Sequence, residues 1–186
     1  MSDNYKWCTR IYNHRGVSLL IFFLSFYSSS FAQVPPPAET PRVYPRTSAY
    51  LGVLHPLISV GSQGVSYPNF KDAYIVGFPI GFNLHKTNKI GFSVELVPTI
   101  RSTRADSRVT NLLIHPGVLV SLGHDFTFVG RLAFETSGRY GFTPVLNKVI
   151  RKGKVNNYFL ALPLPVRFGN GHPASVTAGI QFGIAF

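Results

Sequence analysis

Acidic side chains are scarce in this chain: seven Asp and Glu stand against 18 Lys and Arg in 186 residues, a formal net charge of +11. An excess of that size invites a nucleic-acid reading. The cations are dispersed, however, with clusters only at Arg101–Arg108 and Lys148–Lys154, both in stretches of turn character. A scattered, solvated surface fits that distribution better than a polyanion-binding patch, and no nucleic-acid partner is expected. Cysteine is nearly absent as well. The single one, Cys8, falls in the N-terminal segment, which leaves the remainder without a disulfide, a thiolate nucleophile or a cysteine-based metal site. Runs rich in Ala, Glu, Lys and Leu are missing, and no internal stretch reaches the 18 apolar residues of a membrane-spanning helix. What the chain has instead is 17 Gly, 14 Pro, 9 Tyr and 16 Phe, a composition that argues for β structure in one domain.

The N-terminus reads as an export address. Lys6, Arg10 and Arg15 form a positive region, Val17 to Tyr27 an uninterrupted apolar stretch, and Ser30-Phe31-Ala32 a small-residue cleavage site before Gln33. Residues 1–32 are therefore expected to be a cleaved signal peptide. Residues 33–46, QVPPPAETPRVYPR, read as an extended proline-rich leader on the periplasmic side.

From Thr47 the pattern changes to apolar stretches of about a dozen residues separated by short polar turns. The expected strands are 48–60, 73–84, 90–101, 110–122, 126–136, 139–150, 155–168 and 174–186, with 137–154 open to the alternative of one long loop. Each has one nearly uniform apolar face, such as Phe78, Ile80, Phe82 and Leu84 in the second strand. The opposite faces carry Gly81, Asn83, Ser93, Glu95, His115, Arg131, Glu135, Arg167 and Gln181. A dyad repeat of this length is the pattern of transmembrane β-strands. The closing TAGIQFGIAF shows it most plainly. Val176, Ala178, Ile180, Phe182, Ile184 and Phe186 alternate with small or polar residues.

Alternation alone leaves open which face points inward. Volume decides it. An eight-stranded barrel is just wide enough to be filled by its side chains, so the large aliphatic and aromatic residues cannot all lie inside. They must face outward, and the medium outside must be lipid. The expected fold is all-β: an eight-stranded antiparallel up-and-down transmembrane β-barrel over residues 47–186. Strand parity puts HKTNK, GHD and RKGK at periplasmic turns and 61–72, 102–109, 137–138 and 169–173 at extracellular loops. In that arrangement Tyr50, Phe82, Phe92, Phe126, Tyr158 and Phe186 point outward at one level, as an aromatic girdle does.

These features resemble the small outer-membrane β-barrel domain proteins of Gram-negative bacteria, the porin-like barrels. The residues that carry the resemblance are the signal segment ending in SFAQ, the amphipathic strands over 48–186, and the terminal QFGIAF. The resemblance implies a cell outer-membrane location and contact with outer-membrane lipids. It also implies that Phe186 is the assembly signal read by the outer-membrane barrel assembly machinery. Activity is not implied, because this architecture serves as pore, adhesin, enzyme or inert wall.

Candidate chemistry sits on the inward faces: Glu95, His115, Arg131, Glu135, Arg139 and Arg167. Hairpin counting sets Glu95 opposite His115, and Arg131 opposite Gly117. One reading is an interior salt-bridge lock that satisfies otherwise buried charges. The other is a gate or narrow ion path. A lipid-modifying hydrolase would need its triad facing lipid near a rim, but His115 and Ser121 point inward. Catalytic residues are therefore expected to be absent. His55, His85, His115, His124 and His172 lie on different strands or turns without paired ligand spacing, so neither metal nor other cofactor is expected. The role left open is structural, adhesive or binding, with a small porin or a soluble secreted carrier as alternatives. Pro56, Pro79, Pro98, Pro116, Pro144, Pro163 and Pro165 interrupt expected strands; mild irregularity of the kind a closed barrel tolerates is the favoured reading, and a local bulge or weakened seam at the last two is the alternative.

Overall fold

The computed structural model describes residues 43–69, 72–169 and 171–186. The expected signal segment and residues 33–42 of the leader lie outside the described residues.

Strict alternation produces the strands: over 90–97, for example, exposed and buried positions alternate without exception. The elements are β1 (Arg46–Gly61), β2 (Gly64–Ser66), β3 (Tyr74–Gly77), β4 (Ile80–His85), β5 (Ile90–Ser102), β6 (Ser107–Gly123), β7 (Phe126–Glu135), β8 (Tyr140–Lys152), β9 (Asn157–Pro163), β10 (Val166–Phe168) and β11 (Ser175–Ala185). They form one antiparallel sheet of 11 strands. β11 returns to β1 in a register running from Tyr50↔Ala185 to Gly61↔Ser175, so the sheet closes on itself. The ring passes through eight strands: β1, β4, β5, β6, β7, β8, β9 and β11. Closure pairs the strand edges that would otherwise template association.

Two expected strands are each split in two, and proline is the cause in both. The second divides at Pro79 into β3 and β4, the seventh at Leu164-Pro165 into β9 and β10. Neither split shifts the register. β4 pairs with β1 as Leu51↔Ile80, and β3 continues the same alignment as Leu54↔Gly77. β9 pairs with β11 as Gln181↔Ala161, and β10 continues as Val166↔Val176. The alternative of a bulge at Pro163 and Pro165 is therefore not what forms. The chain stays extended there, Thr177 N–H still donates to Pro165 C=O at 2.8 Å, and only ladder donors are missing. Register shifts occur elsewhere, at Pro56/Ile58, Thr99/Ile100, Ser121/Gly123 and Val149/Arg151. Residues 137–154 do not form one long loop, because β8 occupies 140–152 of them.

The turns follow from their residues. In HKTNK, Thr87 Oγ1 accepts from the N–H groups of Lys89 and Ile90. GHD turns through three successive left-handed residues, with φ of 84°, 49° and 66° at Gly123, His124 and Asp125. Glycine adopts that conformation freely, and Asp and His are among the side chains that tolerate it best.

The sheet is covered inside out relative to a water-soluble fold. Glu95, His115, Arg131, Thr143, Arg167 and Gln181 are buried in the ring, while Phe82, Phe92, Leu96, Leu132 and Phe134 stand at least 44% exposed on the outer wall. The inward face is not wholly polar. Tyr50, Leu119, Val129, Val145, Phe159 and Ala161 form one apolar cluster, and Val97, Leu113 and Ala133 another.

Candidate functional site

Glu95 is the hub of the interior. It stands on β5 directly opposite His115 of β6 in the cross-strand register. Its two oxygens receive three groups. Tyr50 Oη donates to Oε2 at 2.7 Å, His115 Nδ1 lies 3.1 Å from Oε1, and Arg131 Nη2 lies 3.7 Å from Oε2. Arg131, opposite Gly117 on β6, also donates to Tyr50 Oη at 2.9 Å and to Ser93 Oγ at 3.3 Å. Gly117 leaves room for it, because a Cβ there would sit 2.7 Å from Arg131 Cγ.

The hydrogen bonds assign the histidine. Arg167 Nη2 is 3.1 Å from His115 Nε2, and a guanidinium can only donate. Nε2 therefore accepts, and the ring proton sits on Nδ1, where it is donated to Glu95. Arg167 carries the chain onward. Its Nη1 donates to Thr143 Oγ1 at 3.0 Å and its Nε to Glu135 Oε1 at 2.7 Å. Glu135 Oε2 in turn accepts from Asn111 Nδ2 at 2.8 Å and Ser137 Oγ at 2.9 Å. One continuous path thus joins Tyr50 to Ser137 and ties β1, β5, β6, β7, β8 and β10 across the ring.

Of the six expected interior charges, five belong to this path. The sixth, Arg139, stands apart and donates through Nη2 to Ser175 Oγ at 2.8 Å. The Nε atoms of Arg131 and Arg139 are buried without a hydrogen-bond partner among the described residues. Buried charges held this way fix geometry: each carboxylate meets a guanidinium, and each guanidinium reaches further acceptors.

Of the expected aromatic girdle, Phe82, Phe92, Tyr158 and Phe186 point outward. Phe126 is half-buried beneath the Lys148 amine, which lies 3.8 Å from its ring centroid. Tyr50 requires a correction: it is 5% exposed and points into the ring. Its cross-strand partners are the inward Gly81 and Ala185, and paired residues share a face. The sequence carried this signal. Tyr50 alternates with Ser48 and Gly52, whereas the purely apolar face of β1 is Ala49, Leu51 and Val53. The network partners Ser93, Asn111 and Thr143 were also missed as site residues. Thr143 could be found from its pairing with Arg131 across β7 and β8.

A shallow apolar crease of about 480 Å³ opens on the outer wall among Pro116, Val118, Phe128, Phe142 and Pro144, where Gly130 leaves a gap. No hydroxyl, imidazole or carboxylate lines it. Among the described residues no three His, Cys, Asp or Glu side chains converge as a metal site. His55 pairs with Tyr74, Oη to Nδ1 at 3.0 Å, and His85 with Ser48 at 3.3 Å.

No protein-family model matches this chain, and no curated protein matches it. A solved structure described as "De novo design of transmembrane beta-barrels" is similar to it, with a TM-score of 0.45 and 11% sequence identity, over 78% of this chain and 98% of that one.

Proposed function

We propose that this chain is an eight-stranded, up-and-down transmembrane β-barrel of the cell outer membrane. In this reading it is exported by a cleaved signal peptide, is not an enzyme, and acts through its extracellular loops in a structural, adhesive or binding role. The observation that carries the reading is the inside-out cover. A connected set of buried charges fills the ring, while Phe82, Leu122 and Leu132 are each more than half exposed on the wall. In water that wall would be an apolar surface without a partner; in lipid it is solvated. The interior path from Tyr50 to Ser137 serves as a lock rather than an ion path, because its guanidinium groups are held by carboxylates and hydroxyls across the ring. The strand ends at Gly61, Tyr74, Ser102, Ser107, Glu135, Tyr140, Phe168 and Ser175 lie at one rim, and in this reading the connections between them face outside the cell.

Outer-membrane extraction followed by heat-modifiable gel mobility tests fold and location together. The unheated protein should migrate faster than the boiled one, and it should require detergent to leave the membrane. A protein that stays in solution without detergent overturns the reading. Recording in planar bilayers tests the lock: the expected result is no stable conductance step, and reproducible steps would make the protein a small porin.

A further inference from the structure

Cations that are dispersed along the sequence are gathered by the fold. The ring brings the start of β1, the end of β4, the start of β5, the end of β8 and the start of β9 to one rim. Arg46 opens β1 there, Lys86 and Lys89 flank the β4–β5 turn, and Lys148 and Arg151 lie near the end of β8, with Lys154 in the next turn. Lys152 adds a seventh cation, paired to Asp125 at 2.6 Å. Asp125 is the only acidic side chain at this rim among the described residues. The opposite rim has a smaller excess: among the described residues Arg101, Arg104, Arg108 and Arg139 stand there with Asp72 and Asp106, Arg108 and Asp106 lie 3.7 Å apart, and Arg139 is held by Ser175.

Two of the gathered cations are cross-strand partners of aromatic residues. Lys148 pairs across strands with Phe126 and lies over its ring at 3.8 Å from the centroid. Arg151, exposed after the Val149/Arg151 register shift, pairs with the exposed Tyr158. Aromatic rings settle where hydrocarbon gives way to headgroups, and a long basic side chain beside them extends its charge to that level. We infer that this rim is a docking surface for the phosphate of anionic phospholipid headgroups, with Lys148 and Arg151 as the outward-facing contacts. The inference rests on the membrane reading above. Each cation near an anionic lipid surface contributes about 1 kcal/mol, roughly fivefold in affinity.

The test is native mass spectrometry of the full chain in micelles titrated with phosphatidylglycerol or phosphatidylcholine. Three proteins are compared: the natural sequence, Lys148→Gln with Arg151→Gln, and Arg104→Gln with Arg108→Gln at the opposite rim. The natural sequence should retain phosphatidylglycerol in preference to phosphatidylcholine. That preference should fall about fivefold per cation removed in the first variant and persist in the second. Equal retention of both lipids, or equal loss in both variants, overturns the proposal. So does complete competition by inorganic phosphate at matched concentration, which would make the site one for free phosphate rather than lipid. Heat-modifiable mobility of each protein separates the two levels. A chain that folds into phosphatidylcholine vesicles yet shows no headgroup preference sinks only the rim proposal. A chain that never enters vesicles sinks the membrane reading itself.

Discussion

Tyr50 and Gly81 are cross-strand partners, and the phenol ring of Tyr50 occupies the space where a side chain at position 81 would begin. The same relation recurs between Phe159 and Gly183. In both pairs an inward glycine is covered by an aromatic ring from the neighbouring strand, which fills the interior without widening the ring. For Tyr50 the arrangement does more than fill space. Lying across Gly81 carries its hydroxyl to Glu95 and so joins β1, the strand that closes the ring, to the charge network.

Gly81→Ala should therefore destabilise the protein by about 1–3 kcal/mol, the usual cost of overpacking. Tyr50→Ala should destabilise it as well, by leaving a gap and removing a donor from Glu95. The two changes should not add, because truncating Tyr50 removes the ring that the new methyl group meets; a coupling of about 0.5–3 kcal/mol is expected. Urea unfolding of the protein in lipid vesicles measures all three variants. Strict additivity would show that Tyr50 does not lie over Gly81.

Glu95→Gln leaves Arg131 without its carboxylate inside the ring. Removing one partner of a buried pair costs about 3–5 kcal/mol, because the other charge stays buried and uncompensated. Asp106→Asn breaks the exposed pair with Arg108, in which both side chains are more than half exposed, and should cost less than about 1 kcal/mol. The same unfolding assay compares them. Equal effects would mean that the interior network does not hold the ring together.

The strand plan was legible because alternation is a strong signal when one face is uniformly apolar, as in β5 and β6. Counting outward from short turns also fixed local register, which is why Glu95 and His115 could be set opposite one another. Tyr50 shows where this stops. Its partners Ala185 and Gly81 are set by ring closure and by a loop of irregular length, and neither can be counted from a tight turn. The apolar interior at Leu119, Val129, Val145 and Phe159 was hidden for a different reason: a residue apolar on either face gives period-two analysis nothing to separate. At Pro163 and Pro165 the lost donors do not displace the backbone, because both flanking strands hold the register.

Leu96→Arg discriminates lipid from water outside the ring. Leu96 lies midway along β5, is exposed on the outer wall, and has Ile80 and Ile114 as its cross-strand partners. On a water-facing surface such a change falls within about ±0.5 kcal/mol. At the middle of a bilayer-facing wall, arginine costs about 2–4 kcal/mol. Unfolding in vesicles should show the larger penalty, while a neutral outcome would place Leu96 in water.

Phe186 has two roles to separate, a structural one and one in recognition. Its N–H donates to Ala49 C=O and Ala49 N–H donates to its C=O, both at 2.9 Å, so its backbone supplies the last rung joining β11 to β1. Its ring is 55% exposed and points away from the interior. Deleting the residue would remove both functions together. Phe186→Ser keeps the backbone rung and removes only the ring. If the ring is the assembly signal, this variant should be exported normally and should refold in vesicles with near-natural stability, yet reach the outer membrane several-fold less. Quantitative immunoblotting of periplasmic and outer-membrane fractions measures the cellular arm, and heat-modifiable mobility after refolding measures the other. Equal loss in both arms would make Phe186 a structural residue. Unchanged levels in both would remove the side chain from assembly and leave its backbone rung as its contribution.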